Sequence, residues 1–294
     1  MKVIIIGSVL FSEILLNHII KNRVNIKLII TKKVSKKDSD KRDLSRCAKL
    51  NNIPYIYAKN INDKNNLKII KSYKPDIIFC LGWSEILKKQ ILKIPKLGSI
   101  GYHPSDLPHN RGKHPIIWSL VKGLKQTAST FFLLNERLDE GEIISKKKIK
   151  ITFTDDANQL YKKLIKSSKK QIEEIINNLK KRKIKILPKS KSAGNYCRMR
   201  NYEDGMIDWR MSSVSIHNLV RALAKPYNGA HFNYKSKEFK LWKVKIVNQI
   251  FTNAEPGKVI EKINNKPVIK CGDKSIILEK ITPNYRFKLN SYLI

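Results

Sequence analysis

Three histidines, three prolines and an Arg-Gly pair fall within twenty consecutive residues, SIGYHPSDLPHNRGKHPIIW, running from Ser99 to Trp118. A loop this stiff and this polar is built to hold something. His103 lies where an apolar run gives way to the loop, and an imidazole there can accept and return a proton near neutral pH. Downstream, ERLDEGEII follows the apolar run STFFLLN and carries Asp139 ahead of Glu140 and Gly141. A carboxylate beside His103 would orient the imidazole and raise its basicity. From these residues alone, Asp139 is either that partner or an ordinary turn residue. Arg111 with Gly112 is either an anion clamp or a tie between the loop and backbone carbonyls. His109 and His114 lack the spacing of a ligand pair on one helix face. Cys47, Cys80, Cys197 and Cys271 form no CxxC pair. Neither a metal site nor a disulfide framework is expected.

Bringing such groups together requires elements whose ends converge. Over the first hundred residues short apolar runs alternate with helical stretches. Strands are predicted at Val3–Ile6, Ile26–Ile30, Tyr55–Tyr57, Ile77–Cys80 and Ser99–Tyr102, and helices around Phe11–Asn22, Leu44–Asn51, Leu67–Tyr73 and Glu85–Leu92. This pattern predicts an α/β fold, a Rossmann-like and mostly parallel sheet with flanking helices, which takes ligands at the carboxyl ends of its strands. Gly7-Ser8 after the first strand is no GxGxxG, and no GxxxxGK[ST] occurs, so no dinucleotide or ATP fingerprint is present. Two further strands, Thr130–Leu134 and Lys146–Ile151, precede a helix capped by Asp155 or Asp156, with Leu160, Leu164, Ile172, Ile175 and Leu179 at helical spacing. Its lysine-rich end, KKRKIKILPKSKS, is closed by Pro188 and followed by Gly194. The division predicted is a catalytic domain at residues 1–190, a linker at 191–202 and a second domain at 203–294. In the second domain a helix around Val214–Ala224 precedes short strands at Ala230–Tyr234, Phe239–Val247, Lys258–Ile263, Pro267–Lys270 and Ser275–Leu278, the pattern of a small OB-like β-barrel.

A chain of 294 residues that is 41% apolar has enough material for two cores. No apolar run approaches the roughly 18 residues that cross a bilayer. The opening MKVIIIGS reads as a buried strand rather than a signal sequence. A soluble cytoplasmic protein with reduced thiols and no membrane partner is expected. Lys and Arg number 60 against 24 Asp and Glu, a net charge of +36. Because lysine dominates and is spread along the whole chain, this reads as compositional background. A nucleic-acid footprint would cluster and use arginine. The field still favours an anionic substrate.

The run HPSDLPHNRG resembles the HxSLLPxxRG loop of the folate-dependent formyltransferases, and LDEGEII resembles that family's DxGxI segment. PDIIFCLGWSEIL is similar to the strand and loop before the site, and DGMIDWRMSSVSIHNLVRALAKPYNGAHF to the opening of the carboxy-terminal domain. The motifs occur in the family's order and cover nearly the whole chain. The resemblance implies that His103 and Asp139 are catalytic and that a substrate amine attacks the formyl group of 10-formyltetrahydrofolate through a tetrahedral oxyanion, without a metal. That chemistry needs a proton relay, an oxyanion stabiliser and a dry, aligned pocket. It further implies that Leu81, Gly82, Trp83 and Ile86, together with Leu134, Glu136 and Leu138, border the folate. Ser105, Arg111, Gly112 and Lys113 would contact the acceptor. Tyr227 matches a position where the two domains of relatives pack together.

One departure concerns the oxyanion. Two residues before the histidine, where the family carries an Asn that donates to it, this chain has Gly101. A backbone amide, a water or a side chain such as Asn110 would have to substitute. A nucleotide-linked amino sugar, formylated for surface glycans such as lipopolysaccharide, is favoured as acceptor over initiator methionyl-tRNA. The reason is that TKKVSKKDSDKRDLSRCAKLNNIPYIYAKNIND contains no glycine, unlike the glycine- and basic-rich insertion of the tRNA enzymes. A third reading, a catalytically degenerate binding module, draws on Gly101 and is opposed by the retained His103 and Asp139. A homodimer is compatible with the resemblance.

Overall fold

The computed structural model describes residues 1–33, 40–248 and 250–293. Residues 34–39, near the start of the glycine-free stretch, lie outside the described residues. In chain order the elements are β1 (Val3–Ile6), α1 (Leu10–Lys21), β2 (Ile26–Thr31), α2 (Ser45–Leu50), β3 (Tyr55–Tyr57), α3 (Lys64–Ser72), β4 (Ile77–Cys80), α4 (Lys89–Leu92), β5 (Ser99–His103), β6 (Arg111–Gly112), α5 (Pro115–Val121), β7 (Gln126–Leu133), β8 (Ile143–Lys150) and α6 (Ala157–Lys180). They are followed by β9 (Tyr196–Cys197), α7 (Ser213–Ala222), β10 (Ala230–Tyr234), β11 (Lys237–Val247), β12 (Val259–Ile263), β13 (Lys266–Lys270) and β14 (Ser275–Thr282). Two compact units result, one from residues 1–112, 127–149 and 162–197, the other from 113–126, 150–161 and 198–294.

The first unit is organised on a seven-stranded sheet of order β3-β2-β1-β4-β5-β7-β8. Pairings among the first five strands are parallel, and β7 runs antiparallel to β5. All four residues of β1 are buried, as befits a strand covered on both faces. The sequence pattern therefore located this sheet. One difference lies before β5: the helix predicted from Glu85 begins only at Lys89. Glu85 is held off the helix by tertiary partners, since its carboxylate accepts the Ile61 amide at 3.0 Å and pairs with Lys32 Nζ at 2.5 Å. At the start of α6, Asp156 and Gln159 cap each other's backbone amides at 2.8 Å, a reciprocal capping box. Asp155 instead accepts the Thr152 amide at 2.7 Å.

The second unit carries a five-stranded antiparallel sheet of order β10-β11-β14-β13-β12. Helix α7, capped by Ser212 through the Ser215 amide at 3.1 Å, packs on β11. Its apolar residues Ile216 and Leu219 join Trp209, Phe232, Phe239 and Phe287 in one core. Burial of each such side chain contributes roughly 1.5–3 kcal/mol.

Candidate active site

His103 is the last residue of β5 and only 6% exposed. Because Cys80 of β4 pairs with Gly101 of β5 in parallel register, the carboxyl ends of these two strands lie side by side, with His103 just beyond. Nε2 of the imidazole is 2.8 Å from the main-chain oxygen of Asn110. A carbonyl can only accept, so in this arrangement Nε2 carries the proton. Nδ1 faces Asp139 Oδ2 at 3.5 Å, within ion-pair range but longer than a hydrogen bond.

The carboxylate of Asp139 is itself fixed by the loop after β5. Its Oδ2 accepts the Gly112 amide at 2.9 Å, and its main-chain oxygen accepts Arg111 Nε at 3.2 Å. Gly112 has φ +92°, and a β-carbon on it would meet the Cys197 oxygen at 2.5 Å, so both conformation and space demand glycine. The loop thus holds the imidazole with one of its carbonyls and the carboxylate with one of its amides. Arg111 serves as a tie: Nη1 also donates to Ala193 O at 3.3 Å, and the guanidinium lies 5.4 Å from the Tyr196 ring. Tyr196 donates its phenolic proton to Glu140, and that bond, with Arg111 and Arg137 close by, holds the Glu140 carboxyl below its ordinary range. Asp139, Arg111, Glu140, Ser190 and Ser192 line a cavity of about 210 Å³.

The other residues singled out in the sequence fall in two further places. Ser105 is fully buried, its hydroxyl donating to His109 O at 2.7 Å, so it shapes the loop from within. Lys113, exposed, is the first residue of the second unit. Around the end of β4, Leu81 is buried and Gly82 has φ +64°. Trp83 packs with Leu134 on the core formed by Ile4, Ile6 and Ile78, with Lys32 Nζ 4.6 Å from its ring centre. The Trp83 indole nitrogen is buried without a hydrogen-bond partner among the described residues. Ile86 and Leu138 remain 47% and 37% exposed, and Glu136 is exposed.

Gly101 faces a filled space. A β-carbon there would lie 2.6 Å from Leu134 Cδ2 and 3.2 Å from Phe132 Cζ. Asn110, named above as a substitute donor, has its side-chain oxygen engaged by Asn195 Nδ2 at 3.4 Å and Cys197 Sγ at 3.3 Å. Asn195, Tyr196 and Glu140 were not singled out from the sequence. The only signal for the first two is the two-residue parallel pair of β6 with β9, 85 positions apart, and nothing in local composition announces it.

The family models described as formyl transferase and as formyl transferase, C-terminal domain, match residues 1–176 and 200–292. The bifunctional polymyxin resistance protein ArnA of Wigglesworthia glossinidia brevipalpis is 38% identical over 76% of this chain, which spans 34% of that protein's length. A methionyl-tRNA formyltransferase of Caldanaerobacter subterraneus subsp. tengcongensis is 33% identical over 79% of this chain and 75% of its own. Among solved structures, the N-formyltransferase of Helicobacter canadensis, in complex with folinic acid and dTDP-3-aminofucose, shares the fold with a TM-score of 0.70 at 20% identity, covering 95% of this chain and 98% of that one. With two such models matched in order along it, the chain belongs to the formyl transferase family.

Proposed function

We propose that this chain is a cytoplasmic enzyme that transfers the formyl group of 10-formyltetrahydrofolate to the amine of a nucleotide-linked amino sugar, with His103 and Asp139 as its catalytic pair. The observation that carries the reading is the approach of His103 Nδ1 to Asp139 Oδ2 at a strand end, with Nε2 already committed to Asn110. The acceptor amine attacks the formyl carbon of the folate; Nδ1 takes a proton from the amine, Asp139 stabilises the imidazolium, and that proton passes to the folate nitrogen as its bond to the formyl carbon breaks, releasing tetrahydrofolate. The folate side is assigned to Leu81, Gly82, Trp83, Ile86, Leu134, Glu136 and Leu138. The exposed apolar Ile86 and Leu138 fit the face of a flat heterocycle. The acceptor side is assigned to the loop that carries Arg111, Gly112 and Lys113, with the buried Ser105 shaping that loop from within rather than meeting the acceptor.

Support for the sugar comes from the glycine-free stretch after β2 and from the amino sugar bound to the Helicobacter relative in fold. A second reading, formylation of initiator methionyl-tRNA, is favoured by the 33% identity to a tRNA enzyme over three quarters of its length. One experiment decides. The protein is incubated with 10-formyltetrahydrofolate and a panel of UDP-, dTDP- and GDP-linked amino sugars beside charged initiator tRNA, and each acceptor is weighed for one added formyl group. A formylated sugar is the expected product, and formylation of the tRNA alone would overturn the sugar assignment. His103→Ala and Asp139→Asn should fold and lose roughly 10²–10⁴ in turnover, the usual worth of a placed acid–base group. Wild-type rates in both would overturn the pair.

A further inference from the structure

The orientation of His103 depends on a residue held in the left-handed conformation. Asn110 has φ +55°, a region that asparagine enters more readily than other non-glycine residues but that its surroundings must still select. Its main-chain oxygen, so turned, meets His103 Nε2. The enforcement comes from the segment 193–197. Asn195 donates its amide to Pro108 O at 3.2 Å and accepts the Arg111 amide on its own carbonyl at 3.0 Å, so it brackets Asn110 on both sides. Its side-chain Oδ1 accepts the Asn110 amide at 3.0 Å, and its Nδ2 donates to Asn110 Oδ1 at 3.4 Å. The approach is tight: a β-carbon on the neighbouring Gly194 would lie 2.1 Å from Pro108 O.

From this geometry we infer that Asn195 is a positioning residue for formyl transfer, fixing the tautomer of His103 through Asn110; the inference rests on the catalytic role assigned to His103 above. With the Asn110 oxygen in place, the ring proton stays on Nε2 and the Nδ1 lone pair is available as a base beside Asp139. Without Oδ1 of Asn195 the Asn110 amide loses its acceptor and the loop relaxes. The ring is then free to move its proton to Nδ1 and donate it to Asp139, which shifts the lone pair from the atom assigned as base to Nε2. The residues assigned to the folate lie on other segments, so the effect falls on kcat and leaves KM for the folate unchanged.

The test uses full-length protein labelled with ¹⁵N-histidine, His103 being identified by the resonance lost in His103→Ala. Wild type should show an Nε2-protonated ring and Asn195→Ala a mixture of tautomers, with kcat down roughly tenfold, the worth of about one buried hydrogen bond, and KM for the folate within error. Asn195→Asp, which keeps the acceptor for the Asn110 amide, should recover most of the turnover and the wild-type tautomer. It also serves if Asn195→Ala does not fold. Unchanged His103 resonances in Asn195→Ala, whether or not its kcat or thermal midpoint falls, overturn the inference, as does a mixed tautomer in Asn195→Asp. A His103→Ala enzyme with full activity would instead overturn the underlying catalytic reading.

Discussion

Replacing Gly101 by Asn restores the amide that the family pattern carries, and two opposed magnitudes decide what it does. Gly101 lies within β5 and has no positive φ, so a side chain there meets no backbone strain. Space is the obstacle. The new β-carbon falls 2.6 Å from Leu134 Cδ2, 3.1 Å from Leu134 Cγ and 3.2 Å from Phe132 Cζ, against an optimal carbon separation of about 3.5–4.0 Å. Leu134 is partly exposed and can swing, whereas Phe132 is 2% exposed and cannot. Overpacking of this kind costs roughly 1–3 kcal/mol, a fall of about 2–12 °C in the midpoint at about 2–4 °C per kcal/mol. On the other side, one oxyanion donor stabilises a transition state by about 3–4 kcal/mol. Gly101→Asn should therefore melt earlier than wild type, and Leu134→Ala in the same background should regain at least half of the loss. The double variant should turn over roughly tenfold or more faster than Leu134→Ala alone, a gain below the full worth of a donor because the surrounding side chains are not packed to aim the new amide. Single turnovers at saturating folate read this, because Leu134 is assigned to the folate side. An unshifted midpoint in Gly101→Asn refutes the steric argument, and a double variant without a rate gain shows that another donor already serves the oxyanion.

Two predictions concern the second unit. Burial holds the His217 imidazole down to about 4 from 6.5, with Arg221 adding to the effect and a hydrogen bond to Asn218 opposing it, while the ring stacks on Phe153 at 4.2 Å. The folded form therefore refuses a proton that the unfolded chain accepts. Stability is complete above pH 6.5 and falls as pH drops toward about 4; His217→Phe should flatten denaturant midpoints across that window, and a flat wild-type profile would contradict this. Arg221, 8% exposed, donates through Nη1 to the oxygens of Thr152 at 2.9 Å, Phe153 at 3.3 Å and Asp155 at 3.0 Å. Arg221→Met should cost about 1–3 kcal/mol because one buried and two part-buried carbonyls lose their donor, and Arg221→Lys should not recover all of it because an ammonium does not also supply the Nε bond to Asn218 Oδ1 at 2.9 Å. Denaturant unfolding at wild-type midpoint in Arg221→Met would sink the argument.

Much of the fold was legible because burial writes itself into period and run length. The VIII of β1 and IIFC of β4 are continuous apolar runs, as strands covered on both faces must be. The boundaries were less legible wherever a partner distant in the chain decides them. Glu85 reads as a helix former, yet Lys32 and the Ile61 amide claim its carboxylate. The hairpin between β10 and β11 turns through Lys235 at φ +48° and Ser236 at φ +59°, a conformation that composition would assign to Asn or Gly, as it does correctly for Asn264-Asn265 between β12 and β13.

The candidate site divides along the same line. His103 was visible as a candidate because a histidine at a strand end displays its chemistry directly, whereas Asp139, which reads equally as a turn residue before Gly141, became one only through the family resemblance. What holds them was not visible, because it consists largely of main-chain groups: the oxygen of Asn110 on the imidazole and the amide of Gly112 on the carboxylate. Every residue but proline has an amide, and every residue has a carbonyl, so no residue type marks those that matter. Their only trace is conformational. Asn110 and Asp139 both take positive φ, and Gly112 stands where no β-carbon fits. Asn and Asp are the side chains that enter the left-handed region most readily after glycine, and which of them does so is selected by tertiary partners. Those partners lead outward, from His103 and Asp139 to the segment around Asn195, and substitutions there should change the His103 tautomer without touching the residues assigned to the folate.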